Sequence, residues 1–259
     1  MYYKCNNALP EGQTVVTIDG KRVDGKNIDF VSENKDISAS TLPYNFYNGS
    51  VVVLNNEIHI LGSADSSYRT NHYKWDGSSW TNVSTLPYNF YCGSAVVLNN
   101  EIHIFGSLNN SYQQRHYKWN GSSWTRVSTL PYYFSSGSAV VYNNEIHILG
   151  GGDVRTYHYK WDGTSWTSVS TLPYNFYEGS AVVLNNEIHI LGSAHNSSYY
   201  KYHYKWNGTS WSKVSTLPYE FFQGSSVVLD NEIHILGSGN SSYYKSHYMI
   251  QATIYKQVN

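Results

Sequence analysis

Val51-Val52-Val53-Leu54-Asn55-Asn56-Glu57-Ile58-His59-Ile60-Leu61-Gly62-Ser63 is the stretch that decides the fold. Its first four residues form a continuous apolar run, as a strand buried on both faces requires. Asn55-Asn56 reads as a two-residue turn, because asparagine tolerates the positive φ that a type I′ hairpin imposes at both central positions. Glu57 to Leu61 alternates as a second strand and stops at a glycine. A polar loop, Ala64 to Asn71, then leads to His72-Tyr73-Lys74-Trp75, the tight turn Asp76-Gly77-Ser78-Ser79, and a fourth strand at Trp80-Thr81-Asn82-Val83-Ser84.

The unit recurs. Leu-Pro-Tyr opens a copy at residues 42–44, 86–88, 130–132, 172–174 and 217–219, a period of 42 to 45 residues. Four short antiparallel strands per copy, with aromatics at fixed offsets, specify a propeller blade. No segment has the 3.6-residue apolar period of a helical solenoid. The two tryptophans of a copy, such as Trp119 and Trp124 or Trp161 and Trp166, flank the third turn. There they can pair across the hairpin and fill the gap between wedge-shaped blades.

An apolar strand, a turn, a second strand ending in glycine, a variable loop, an aromatic strand and a tryptophan before Leu-Pro together resemble the kelch repeat over residues 42 to 251. One departure stands out: the double glycine after the second strand appears only as Gly150-Gly151 and is Gly-Ser in the other four copies. Trp75-Asp76 and Trp161-Asp162 suggest WD40 repeats, but Trp119-Asn120, Trp206-Asn207 and the missing Gly-His argue against them. The expected fold is all-β, a kelch-like propeller of four-stranded antiparallel blades in one compact domain, with residues 41–259 holding the five repeats. The fifth copy begins normally at Gly224 but replaces its Trp-turn-Trp hairpin with Met249 to Tyr255, so its fourth strand is degenerate or donated. Residues 1–40 carry strand-like stretches at Thr14–Ile18, Lys21–Val23 and Asn27–Val31. These favour a reduced sixth blade closing the ring. The alternative is five blades with a closing strand or a separate hairpin.

Composition limits the functions available. The 259 residues are 41% hydrophobic and 16% aromatic, enough to fill a substantial core. The formal net charge of -1 supplies no field for nucleic acid. No apolar run has the length of a membrane span, and Met1 to Asn7 does not resemble a secretion signal. A soluble cytoplasmic or virion-associated chain without membrane insertion is expected. Cys5 and Cys92 read as free thiols, since the repeat position of Cys92 is filled elsewhere by Asn48, Ser136, Glu178 and Gln223.

Topology separates two faces. The first and third turns share one face and barely vary. The opposite face carries loops at Ser63–Asn71, Ser107–Arg115, Gly151–Tyr157, Ser193–Tyr202 and Ser238–Ser246, differing in length, charge and aromatic content. The link loops on that face vary too: Tyr47-Asn48 becomes Tyr91-Cys92, Ser135-Ser136, Tyr177-Glu178 and Phe222-Gln223. Tyrosine, serine, asparagine and glycine dominate these loops, the mixture that gives rigid aromatic contact area with adaptable hydrogen bonding. Candidate ligand contacts are Tyr47, Tyr68, Arg69, Tyr91, Tyr112, Arg115, Arg155, Tyr177, Tyr199, Tyr200, Phe222, Tyr243 and Tyr244. The kelch resemblance implies the same choice of side.

His59, His103, His147, His189 and His234 share one repeat position, and His72, His116, His158, His203 and His247 another. Equivalent residues in neighbouring blades lie roughly 10 Å apart, the spacing of packed sheets, so they cannot jointly hold a zinc that needs ligands at about 2 Å. They read as packing and hydrogen-bonding residues; only His195 lies outside the pattern. Catalysis needs unlike groups converging within hydrogen-bond reach, whereas nearly every polar residue here repeats once per blade. Glu57, Glu101, Glu145, Glu187 and Glu232 sit beside hairpin turns on the invariant face. The expectation is a non-enzymatic interaction module, without metal or cofactor, that binds a protein or a glycan through the tyrosine-rich loop face. The alternative is a structural or receptor-binding component of a phage tail or bacterial surface assembly.

Overall fold

The computed structural model describes residues 14–16, 22–24, 40–109, 111, 113–153, 155–195, 198–240, 242 and 245–251. Residues 1–39 form one compact unit and residues 40–259 another. In the first, β1 (Thr14–Val16) pairs antiparallel with β2 (Arg22–Asp24). The second is a five-bladed β-propeller.

The first blade is β3 (Ser50–Leu54), β4 (Glu57–Leu61), β5 (Asn71–Trp75) and β6 (Trp80–Thr85); the second is β7 (Ser94–Leu98), β8 (Glu101–Phe105), β9 (Arg115–Trp119) and β10 (Trp124–Thr129). The third is β11 (Ser138–Tyr142), β12 (Glu145–Leu149), β13 (Tyr157–Trp161) and β14 (Trp166–Thr171). The fourth is β15 (Ser180–Leu184), β16 (Glu187–His195), β17 (Ser198–Trp206) and β18 (Trp211–Thr216). The fifth has three described strands, β19 (Ser225–Leu229), β20 (Glu232–Leu236) and β21 (His247–Gln251). Every blade is an antiparallel meander in sequence order. The blade number is therefore five, the second of the two sequence readings, and the six-blade reading is corrected. Within Thr14–Ile18 and Lys21–Val23 the described residues form the short pair β1 and β2; Thr17, Ile18, Lys21 and Asn27–Val31 lie outside the described residues.

The hairpin chemistry is as read from the sequence. Asn55 and Asn56 take φ of 52° and 63°, both positive as a type I′ turn requires. The tryptophans pair across the third turn, with Trp75 opposite Trp80 and Trp119 opposite Trp124. Between strands three and four each complete blade carries a bulge, at Val83 in the first, which sets Ser84 directly opposite His72.

That serine is where successive blades meet. Trp124 Nε1 of the second blade donates to Ser84 Oγ of the first at 3.0 Å; Trp166 does the same to Ser128 at 2.9 Å, and Trp211 to Ser170 at 3.0 Å. Behind the serine, His72 Nδ1 lies 2.9 Å from Ser84 Oγ, and His72 Nε2 lies 2.9 Å from His59 Nδ1. An indole can only donate, so the relay that follows from it runs from Trp124 to Ser84 to His72 to His59, whose buried Nε2 is left without a hydrogen-bond partner. Each interface adds a dry cluster. Leu54 and Leu61 of the first blade pack with Leu86, Tyr88, Phe90, Ile102, Ile104 and Trp119 of the second.

The Gly-Ser variation has a structural meaning. Gly106 holds φ of 59°, and a Cβ there would lie 1.9 Å from the Phe134 carbonyl oxygen of the next blade, so only glycine permits that approach. The serine after it is buried and ties strand two to its own link loop: Ser63 Oγ donates to Asn45 O at 2.7 Å, and Ser107 Oγ to Asn89 O at 2.8 Å. In the third blade Gly151 takes this place, and its N–H donates to Phe176 O at 2.8 Å.

The first strands of blades one to five contact one another in succession, but no described strand of blade five contacts blade one. Val182 and Leu184 in the fourth blade are 8% and 6% exposed, whereas their fifth-blade counterparts Val227 and Leu229 are 48% and 56% exposed. Ile58 at the other end is 37% exposed against 0% for Ile102.

Burial holds the paired histidines of the first four blades neutral. His72 falls to about 3 and His103 to about 4 from the usual 6.5, with desolvation the largest cause in both. In the unfolded chain they titrate near 6.5, so below that pH the unfolded state binds more protons. Their contribution is fully present above pH 6.5 and is lost as pH falls towards the folded values, by up to about 1.4 kcal/mol per pH unit for each histidine. The melting temperature should be flat from pH 9 to 7 and fall steeply from pH 6.5 to 4.5. A profile flat across the acid range in differential scanning calorimetry would contradict this account.

Candidate functional site

The link between blades crosses the propeller axis side of each first strand, and one residue of each link takes a left-handed backbone. These are Asn48, Cys92, Ser136, Glu178 and Gln223, with φ of 53°, 52°, 55°, 56° and 52°. Their main chains are joined in a single file. Cys92 N donates to Asn48 O at 2.7 Å, Ser136 N to Cys92 O at 2.6 Å, Glu178 N to Ser136 O at 2.7 Å, and Gln223 N to Glu178 O at 2.7 Å. The backbone conformation is thus set by a bond between blades and not by the side chain.

An L-residue in this conformation costs roughly 1–2 kcal/mol, which glycine avoids. At five equivalent places this chain carries five different polar side chains. All five line one axial cavity of about 720 Å³, together with the glycine that follows each and residues of β3 and β19. Glu178 is the sole formally charged residue among the described lining. Cys92 is a free, half-buried thiol, and burial pushes its pKa up, so it stays protonated at neutral pH. The arrangement offers a carboxylate, two amides, a hydroxyl and a thiol to one central volume.

Of the residues singled out from the sequence, Tyr47 lines this cavity, and several others are engaged between blades. The Arg69 guanidinium sits 4.5 Å over the Tyr91 ring, and Arg155 sits 4.4 Å over Tyr177. Tyr199 lies face to face on Phe222 at 4.2 Å, with 10° between the planes. Each of these contacts joins a loop of one blade to the link aromatic of the next. Tyr68 stacks on Tyr44 at 5.2 Å, and Tyr200 on Tyr202 at 5.0 Å. Tyr47 is 53% exposed and lines the axial cavity. Arg115 is half-buried at the start of β9. Tyr112, Tyr243 and Tyr244 lie outside the described residues, as does the His195 side chain.

Apart from Tyr47, the cavity lining holds none of the described residues among these, whereas all five link residues converge on it. Sequence reading saw the varying link position but did not select it as a site. The signal was there, in one repeat column with five residue types; what it lacked was the left-handed backbone that turns the column to the axis. The histidines appear as inter-blade relays. Among the described residues no group of three or more His, Cys, Asp or Glu is placed to hold a metal. The turn-face glutamates pair with lysines, Glu57 with Lys74 at 2.8 Å and Glu101 with Lys118 at 2.9 Å. The fifth copy has Met249 at the lysine position.

Comparison with known proteins agrees with a propeller. The solved structure of YjhT superposes with a TM-score of 0.66 at 16% identity, covering 76% of this chain and 73% of that one. At that identity the likeness establishes the fold alone. No protein-family model matches the chain, and no curated protein matches it. Among the described residues no helix is long and apolar enough to cross a membrane.

Relief of the left-handed strain separates the axial side chains from the scaffold. Glu178→Gly should leave the melting temperature unchanged or raise it, by up to about 1 kcal/mol of stability once the greater chain entropy of glycine is subtracted. Marked destabilisation in a thermal melt would mean that the carboxylate holds the fold.

Proposed function

We propose that this chain is a non-enzymatic binding module of kelch type, whose ligand, a protein or a glycan, sits on the loop face over the axial cavity. The observation that carries this reading is the convergence of Asn48, Cys92, Ser136, Glu178 and Gln223, five unlike polar groups at one repeat position, on a cavity of about 720 Å³. Pockets of this size, with a few convergent polar groups and an aromatic rim, suit ligand recognition. The rim residue Tyr47 supplies exposed ring area, and the Arg69–Tyr91, Arg155–Tyr177 and Tyr199–Phe222 contacts hold the surrounding loops in fixed positions. A rim held in place loses less entropy on binding than a mobile one.

The strongly shifted titratable groups favour a non-catalytic reading. They include the histidine relays and the buried tyrosines of the Leu-Pro-Tyr segments, such as Tyr88, whose hydroxyl donates to Gly106 O at 3.1 Å. Both sets are engaged in holding the blades together.

A glycan array and an affinity pull-down, each run with the wild type and with the Asn48→Ala/Glu178→Ala/Gln223→Ala variant, test the proposal. The variant is expected to keep its melting temperature and to lose at least tenfold in affinity for the captured ligand. Attachment of a bulky maleimide to Cys92, in a Cys5→Ser background, should block the same binding. Unchanged affinity in both arms would place the ligand elsewhere.

A further inference from the structure

The carboxylate in the axial cavity differs from the other glutamates of the blades. Glu57, Glu101, Glu145 and Glu187 each hold a lysine of the neighbouring strand at 2.8 to 2.9 Å. Asp76 and Asp162 accept N–H groups of their own turns. The half-buried Glu178 side chain has neither a hydrogen bond nor an ion pair among the described residues, and the described cavity lining holds no lysine, arginine or histidine. Arg155, from the loop of the preceding blade, lies over the Tyr177 ring at 4.4 Å. The charge of Glu178 is nevertheless felt inside the cavity: the Cys92 thiol is pushed up first by burial and further by this carboxylate.

The neighbours of Glu178 add acceptors to the same volume. The file of main-chain bonds sets Ser136 before it and Gln223 after it, so a hydroxyl, a carboxylate and a side-chain amide follow one another around the axis. The link N–H groups of Cys92, Ser136, Glu178 and Gln223 are spent on that file. They form no inward-facing row of donors such as an anion site needs.

We propose that the axial cavity takes the primary ammonium of a lysine side chain presented by a protein partner, with Glu178 as its counter-ion. This rests on the reading of the cavity as the binding site. An ammonium has three rotatable donors and no acceptor, one donor each for the Glu178 carboxylate, Ser136 Oγ and Gln223 Oε1. A lysine also carries a four-carbon stem that lies along apolar surface while the charge stays at its tip. The rest of the lining suits that stem: Val51, Val52, Val53 and Val227, with the rings of Phe46 and Tyr47. An amino sugar brings the same cation but surrounds it with hydroxyls, which the valine walls would leave without partners.

The full chain titrated with Nα-acetyl-lysine N-methylamide tests the proposal, with binding read by calorimetry and, in a Cys5→Ser background, by slower alkylation of Cys92 with iodoacetamide. The probe should bind at one site and protect Cys92. Glu178→Gln should weaken it at least tenfold without lowering the melting temperature. The norleucine counterpart, which keeps the stem and lacks the ammonium, should also bind at least tenfold more weakly, and added salt should weaken only the lysine probe. A lysine probe that does not bind, or that binds Glu178→Gln as it binds the wild type, overturns the proposal. Glucosamine binding more tightly than the lysine probe overturns the protein partner and moves the cation to a glycan. A captured ligand lost from the Asn48→Ala/Glu178→Ala/Gln223→Ala variant but kept by Glu178→Gln leaves the cavity as the site and removes the cation. A ligand indifferent to both variants removes the two readings together.

Discussion

The bond from an indole N–H to a serine hydroxyl of the preceding blade is the contact on which the propeller depends. One hydroxyl serves two blades: it receives Trp124 from the second and meets His72 of the first. Every recurring residue nearby follows from it. The bulge at Val83 turns Ser84 to face His72, and His59 meets the far nitrogen of that ring. The turn between the tryptophans needs only an acceptor oxygen, which explains why aspartate and asparagine alternate there. Asp76 Oδ1 accepts from Ser78 N at 2.8 Å, and Asn120 Oδ1 accepts from Ser122 N at 2.9 Å.

The side chains that dictate architecture were legible in the sequence, and those that depend on neighbouring blades were not. Asn55-Asn56, the tryptophan pairs and the Leu-Pro-Tyr period specify strands, turns and blades because each acts within one copy. The blade count depends on how many strands the terminal segments contribute, and strand-like composition does not decide that; of Thr14–Ile18 the described residues form the three-residue β1. The histidines illustrate the same boundary. Spacing between blades excludes a shared metal, but the pairing of His59 with His72 arises inside a blade through a diagonal contact that periodicity does not reveal.

The candidate site divides along similar lines. Its face was legible, because turns that barely vary and loops that vary lie on opposite sides of a meander. Its centre was not, because alternation in a strand says nothing about a link residue with positive φ. Arg69, Arg155 and Tyr199 were read as candidate ligand contacts, and they lean on aromatics of the following blade. Such contacts need two loops about half a repeat apart in sequence to be neighbours in space. Their effect is to fix the rim while the five central side chains remain independent of the scaffold.

The file of main-chain bonds from Asn48 to Gln223 has an electrostatic consequence. In a helix, peptide dipoles point along the axis and add to a field at its ends, which favours one sign of charge there. Here the bonded peptides succeed one another around the axis, so their dipoles are directed tangentially and contribute little potential along it. The opening carries no charge preference from its backbone. Whatever sign the cavity presents is written by its side chains, of which Glu178 is the single ionised member described, so one substitution at one repeat position suffices to neutralise or invert it.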